Sequence, residues 1–296
     1  MIQITDLRRS YGQLTAVDGI SFAIAKGETF GLLGPNGAGK TTTINIILGA
    51  LKPDSGSVRI DGAADPTRPE VRRMLGAAPQ SLAMYEDLTA YENLAFFGRL
   101  YGLGGKHLVE RISWALEFAG LTSRRKDRVK TYSGGMQRRL NLVAGIMHDP
   151  PVILMDEPTA GIDPQSRKQI YDSIESLKRM GRTILYTTHY MEEAQRLCDR
   201  VAIIDYGKIL ALDTVDALIR QHGGNPTLEI AFASTPANPG RLPGKLENNR
   251  LRISTDKPLE LLAKVSEVST DFSHVAIERA DLETVFLNLT GRTLRD

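Results

Sequence analysis

The chain has few of the features that mark a secreted or membrane-embedded protein. It contains one cysteine, Cys198. That excludes an internal disulfide and a cysteine-built metal cage, and it points to a reducing compartment. No run approaches the roughly 18 consecutive apolar residues of a bilayer span. A role at a membrane would therefore require another chain to supply the channel. The first eleven residues lack an apolar leader core, so no secretory signal is expected. Charge of one sign is scarce too: 37 basic residues face 35 acidic ones, a net charge of +2. That balance argues neither for nor against nucleic acid. What is present is ordinary globular composition, 42% hydrophobic and 24% charged, in a chain long enough for one large domain or two smaller ones.

One stretch organises the rest. Gly34-Pro35-Asn36-Gly37-Ala38-Gly39-Lys40-Thr41-Thr42 fits the pattern G-x-x-x-x-G-K-[ST]. Thr29 to Leu33 before it reads as a short buried strand, and Ile44, Ile47, Leu48 and Leu51 after it recur at helical spacing. A strand, a glycine-rich turn and a helix N-terminus aim backbone N–H groups at one point, which makes an anion site for nucleotide phosphates. Lys40 would reach the β- and γ-phosphates, and the Thr41 hydroxyl would ligate Mg²⁺.

Around this stretch, Ile2 to Ile4 and Ile20 to Ile24 alternate as half-buried antiparallel strands, with Tyr11 between them. Taken alone, Tyr11 reads as packing. Pro53 to Gly56 is a turn, followed by a strand over Ser57 to Ile60. Leu75 to Gln80 reads as a weak strand, and a lone Gln80 at its end reads as a surface residue. Two helical patterns over 88–103 and 107–120 follow with no strand between them, a helical insertion in an α/β frame. The basic run Arg124 to Lys130 reads as a solvated loop, with contact to phosphate or a membrane surface as the alternative.

Ser133, Gly134 and Gly135 open a helix whose apolar face is Leu140, Val143, Ile146 and Met147, a second anion site without its own lysine. Val152 to Met155 is a continuous apolar run, as in a parallel strand buried on both faces. It ends in Asp156-Glu157, at the strand end where open α/β sheets bind ligands. Asp156 suits Mg²⁺ and Glu157 suits a general base that orients water. Asp163 and Pro164 start a helix that stops at Gly181. Thr183 to Thr187 is another buried strand. His189 lies just past it, beside the other strand ends, a position that favours catalysis over structure. Val201 to Ile204 and Ile209 to Leu212 form a hairpin. After Gln221 the composition changes. Strands over 227–232 and 250–254 and helices near 258–267 and 281–290, the last capped by Asp281, suggest a small α+β appendage with no catalytic cluster.

Together these residues resemble an ATP-binding-cassette (ABC) ATPase of the transporter type, over residues 1 to about 220. Gly34 to Thr42 resembles the Walker A loop, Gln80 the Q-loop, and Tyr132 to Gln137 the family signature. Val152 to Glu157 resembles Walker B, Ala160 to Asp163 the D-loop, and His189 the switch histidine. Tyr11 sits where the family stacks an aromatic on adenine. Tyr132 departs from the leucine of many members, while Ser133-Gly134-Gly135 is intact. The resemblance implies a P-loop NTPase of α/β class with a parallel core sheet, an antiparallel β subdomain, a helical insertion at about 85–150, and a C-terminal accessory domain over 221–296.

The implied cofactors are ATP and Mg²⁺. Lys40, Gln80, Glu157 and His189 would act in catalysis, and Thr41, Gln80 and Asp156 at the metal. Tyr11, Asn36, Gly37, Gly39, Lys40, Thr41, Thr42, Ser133, Gly134 and Gly135 would bind nucleotide. The implied partners are a second copy, in a head-to-tail homodimer sandwiching two ATP, and a membrane permease on a separate chain, with no nucleic acid. That permease would dock near Tyr85 to Thr89, placing the protein at the cytoplasmic face of a bacterial membrane. Genome-maintenance relatives carry long coiled-coil arms between Lys40 and Ser133, and translation-factor cassettes come in tandem; neither feature occurs here. An importer subunit is the closer alternative, and the short single cassette with its appendage resembles the bacterial exporters of drugs, antibiotics, lipids or polysaccharides.

Overall fold

The computed structural model describes residues 1–63 and 65–292. The chain forms two compact units, Met1–Val215 and a second beginning at Asp216, a division just ahead of the compositional change after Gln221.

In the first unit β1 (Ile2–Tyr11), β2 (Leu14–Ile24) and β4 (Ser55–Ile60) make an antiparallel sheet in the order β2-β1-β4. The strands run further than alternation suggests, because pairing shifts between Ile4 and Leu7 and at two later points break the period of two. Alongside lies a six-stranded sheet in the order β5-β6-β7-β3-β8-β9. Its strands are β3 (Thr29–Leu33), β5 (Leu75–Ala78), β6 (Val152–Asp156), β7 (Thr183–Thr188), β8 (Arg200–Asp205) and β9 (Lys208–Thr214). The first five in space are parallel and β9 returns antiparallel. Every residue of β3, β6 and β7 is buried. That explains their unbroken apolar runs: covered on both faces, a strand has no polar side to present.

Between the two sheets packs α1 (Lys40–Ile47), which shares one core with Ile4, Leu7, Phe22, Phe30 and Leu154. The helix ends earlier than its apolar spacing suggests. Leu48 is its C-cap and Gly49, at φ +66°, turns the chain, so Leu51 packs from the following turn. A short α2 (Pro69–Arg72) precedes β5. β5 stops at Ala78 because Pro79 has no N–H to give the ladder. Cys198 is buried, and burial pushes its thiol pKa well up, so it is a packing residue and not a nucleophile.

The insertion consists of α3 (Ala90–Leu100), α4 (Gly105–Phe118) and α5 (Gly134–Gly145) around a separate core that includes Leu94, Ile112, Leu116, Leu140 and Val143. Thr89 and Glu92 close α3 with a reciprocal capping box. The basic run is not a free loop. Val129 is buried and its N–H donates to the Leu88 carbonyl, the Lys130 N–H donates to Glu86 O at 2.9 Å, and the Lys130 side chain pairs with Asp87. Returning to the sheet, α6 (Pro164–Arg179), N-capped by Asp163, follows β6, and α7 (Met191–Leu197) follows β7.

In the second unit α8 (Val215–His222), β10 (Thr227–Phe232), β11 (Leu246–Glu247), β12 (Arg250–Ser254), α9 (Pro258–Ser266), β13 (Phe272–Glu278) and α10 (Leu282–Thr290) follow in order. The strands form an antiparallel sheet ordered β11-β12-β10-β13, whose buried Leu228, Ile230, Phe232 and Leu251 pack with Val265 of α9. α8 and β13 were not legible in the sequence. β13 carries its apolar residues between histidine, serine and glutamate without full burial.

Asn93 of α3 ties the preceding turn to the insertion. Its Oδ1 accepts from the Tyr85 N–H at 2.9 Å, and its Nδ2 donates to Tyr85 O and Thr89 O, both at 3.0 Å. Asn93→Ala removes the buried amide that meets those three backbone groups and should cost about 2 kcal/mol in urea unfolding. A loss below about 0.5 kcal/mol would show that water replaces the amide without penalty.

Candidate nucleotide-hydrolysis site

Three neighbouring parallel strands, in the spatial order β6-β7-β3, deliver their carboxyl ends to one place. Register aligns them, with Leu33 opposite Thr188 and Asp156 opposite Thr187. The chain leaves β3 through the glycine loop, leaves β6 at Asp156-Glu157, and leaves β7 at His189. At Gly39 φ is +105°, and a Cβ there would lie 2.2 Å from the Ala16 carbonyl oxygen, so glycine is required for both conformation and space. Ala16 belongs to β2, so the β1–β2 hairpin that carries Tyr11 abuts the loop. Tyr11 is half-exposed, with the Arg9 guanidinium 5.1 Å from its ring centroid.

Lys40, the first residue of α1, is buried. Its Nζ donates to Gly34 O at 2.7 Å and Pro35 O at 3.0 Å, and it lies 3.0 Å from Glu157 Oε1. The other oxygen, Glu157 Oε2, meets His189 Nδ1 at 3.1 Å and Gln80 Nε2 at 3.4 Å. Three of the residues expected in catalysis therefore converge on the carboxylate of the fourth. Glu157 itself has φ +46°, a left-handed conformation that is strained for a residue with a side chain. Its N–H is held by the Thr187 carbonyl and hydroxyl at 3.2 and 3.1 Å. Beside this cluster the Thr41 hydroxyl donates to Asp156 Oδ2 at 2.8 Å, and the Thr187 hydroxyl donates to Asp156 Oδ1 at 2.6 Å. Thr41, Gln80 and Asp156 line one cavity of about 220 Å³.

Asn36 and Gly37 are exposed on the loop, and in the first turn of α1 Thr41 is exposed and Thr42 half-buried. Ser133, Gly134 and Gly135 sit apart from this cluster at the start of α5. The Ser133 hydroxyl caps the helix by accepting from the Met136 N–H at 3.3 Å. Ser133 and Gly134 are exposed, and a Cβ on Gly134 would meet nothing within 4 Å. Gly135 is the opposite case, because its Cβ would lie 1.9 Å from Ser166 Oγ on α6. Tyr132 is buried in the insertion core and its hydroxyl donates to the Arg124 carbonyl at 2.8 Å, a bond that leucine could not make.

Sequence reading missed Thr187, Arg138 and Asn141. Thr187 orients Asp156 and Glu157; a hydroxyl near the end of an otherwise apolar strand was the available signal. Arg138 donates to the Gln80 carbonyl, and Asn141 Nδ2 donates to Pro79 O at 3.2 Å, so α5 grips the backbone that carries Gln80. Burial lowers the Arg138 pKa, opposed by the charges of Asp156 and Glu157.

The phosphate loop, the strand-end carboxylates and the histidine define a P-loop nucleotide-hydrolysing domain. Its family follows from comparison with known proteins. A model of the ABC transporter domain matches residues 17–160. The linearmycin resistance ATP-binding protein LnrL of Bacillus subtilis is 41% identical, and the alignment covers all of both chains. The Nod factor export ATP-binding protein I of Paraburkholderia xenovorans is 42% identical over the whole of this chain and 98% of its own. A solved ATP-binding subunit of an ABC transporter superposes with a TM-score of 0.68 at 31% identity, over 75% of this chain and 93% of that one. A dimeric cassette in a post-hydrolysis state with ADP and phosphate gives 0.66 at 25% identity, over 72% and 98%. The chain belongs to the ABC transporter family as an ATP-binding subunit and is an ATPase.

The Lys40–Glu157 pair is almost without solvent, at 4% and 7% side-chain exposure. Removing one partner of such a pair leaves a buried charge uncompensated. Without nucleotide, Lys40→Ala should lower unfolding free energy by about 3 kcal/mol, and Glu157→Gln by less than half that, since two carbonyls still hold the ammonium. Equal losses in chemical denaturation would contradict this asymmetry.

Proposed function

We propose that this subunit powers export of a drug, antibiotic, lipid or polysaccharide through a permease on a separate chain, from the cytoplasmic face of a bacterial membrane. Support comes from full-length similarity to proteins named for linearmycin resistance and Nod factor export. Among the described residues no helix is long and apolar enough to cross a membrane, so the translocation path would have to come from elsewhere. In this reading residues 1–220 are the nucleotide-binding domain and 221–296 an accessory domain. The segment from Tyr85 to Thr89, stapled to Val129 and Lys130, is the permease-facing edge of the insertion.

The observation that carries the catalytic assignment is the convergence of Lys40, Gln80 and His189 on the Glu157 carboxylate. With ATP in the loop, Lys40 exchanges its carboxylate partner for phosphate oxygens and frees Glu157 to accept a proton from the attacking water. His189 and Gln80, bonded to the same carboxylate, place water and γ-phosphate relative to it. The loop amides from Asn36 to Thr42 cradle the phosphates, and Tyr11 stacks on the adenine. The donor set formed by Thr41 Oγ1, the Asp156 carboxylate and the Gln80 amide oxygen is all hard oxygen on one cavity, which fits Mg²⁺. Bound there, the ion would neutralise phosphate charge.

Ser133, Gly134 and Gly135 then complete the site of a second copy in a head-to-tail homodimer. Their bonds stay within their own helix, and Ser133 and Gly134 face solvent.

Glu157→Gln keeps the shape and removes the base. ATP should still bind, hydrolysis should fall by about two to four orders of magnitude, and an ATP-bound dimer should accumulate on size exclusion. Near-normal turnover would remove Glu157 from the role.

Ser133→Arg should leave monomer ATP binding intact and block dimer closure. Mixed with Lys40→Ala subunits, it should regain part of the ATPase activity, because a mixed dimer has one site carrying both defects and one carrying neither. No recovery in a mixture shown to contain mixed dimers would count against a shared site.

A further inference from the structure

Among the buried carboxylates outside the hydrolytic cluster, Glu193 is the least exposed. Glu193, on α7, is 1% exposed, and four hydroxyls from three different segments converge on it. Its Oε1 accepts from Thr159 Oγ1 at 2.6 Å and the Tyr171 hydroxyl at 3.0 Å; its Oε2 accepts from the Tyr186 hydroxyl at 2.8 Å and Thr188 Oγ1 at 2.7 Å. A carboxylate loses heavily on leaving water unless its oxygens are met by donors, and short O–H···O⁻ bonds are the strong class. Burial, and then the charge of Glu193, push both phenol pKa values up, so both tyrosines remain donors.

The placement of the donors is informative. Thr159 is two residues beyond Glu157 and opens into the segment from Ala160 to Asp163. Thr188 directly precedes His189, and its oxygen also accepts from the Tyr190 N–H at 2.9 Å. Tyr171 reaches in from α6 and Tyr186 from β7, so each carboxylate oxygen holds one threonine close to a catalytic residue in sequence and one tyrosine anchored in regular structure. A core that needed only filling would use apolar side chains here, as Ile184 and Leu185 of β7 do. On the reading that Glu157 and His189 act together on ATP, their backbones require a common reference, and this cluster provides one through the Thr159 and Thr188 hydroxyls, in addition to the bonds that the Glu157 N–H donates to Thr187.

We propose that Glu193 is a positioning residue for hydrolysis. Its carboxylate locks the chain after Glu157 to the chain entering His189, so that base and histidine keep one register when nucleotide replaces Lys40 as their neighbour.

The test is steady-state ATPase kinetics of the full chain. Glu193→Gln keeps size and loses acceptor capacity, so kcat should fall about tenfold or more with KM for ATP within about threefold, the change expected when a charge-assisted bond matters only to the reacting geometry. In a His189→Ala background the same substitution should cost less than about twofold, because residues acting as one unit are not additive. If Glu193→Gln does not fold, Thr188→Val, which deletes one donor of four, should show the same split and the same dependence on His189. A kcat within about twofold of the parent, or an undiminished loss in the His189→Ala background, overturns the proposal. Parental protein without ATPase activity would instead overturn the hydrolytic reading on which this inference rests.

Discussion

A lysine and a glutamate 3.0 Å apart, both hidden from water, set the terms for everything around them. Neither charge is tolerable there alone. The lysine is fixed by the first turn of α1 and by two carbonyls of its own loop. The glutamate is fixed by a left-handed backbone whose N–H is tied to Thr187. Strand order β6-β7-β3 is what brings them together: β7 sits between the strands that deliver them and supplies the hydroxyl that steadies one side and the histidine that meets the same carboxylate. The pair is also provisional. In the proposed mechanism an anion in the glycine loop would compete for the ammonium and release the carboxylate to act on a water.

Backbone beside this pair is held by side chains of α5. Arg138 and Asn141 bind the carbonyls of Gln80 and Pro79, and Arg138 also lies 3.4 Å from the Ala160 carbonyl. The helix that opens with Ser133 is thus attached both to the backbone that carries Gln80 and to the segment following Glu157.

Much of this was legible because phosphate chemistry fixes sequence tightly. A loop that must present backbone amides and tolerate φ +105° leaves little choice at Gly39, and buried parallel strands announce themselves as apolar runs at Val152–Met155 and Thr183–Thr187. Residues that act by holding backbone were not legible. Arg138 and Asn141 look like ordinary helix surface until Pro79 and Gln80 are placed against them, and Glu193 looks like one of two exposed acids in Glu192-Glu193. The long β1 and β2 were read short because a bulge interrupts their alternation. Edge strand β13 was invisible because it is only partly covered.

The two glycines after Ser133 are constrained from opposite directions. Gly135 is fixed by its own fold, since Ser166 occupies the space a side chain would take. At Gly134 the surrounding chain is indifferent, with open space where a methyl would go. Intolerance at Gly135 therefore reports on the folding of one polypeptide. Intolerance at Gly134 would point instead to a ligand or surface that arrives after folding, so that position gauges what the folded chain meets, readable without any structure of the assembly.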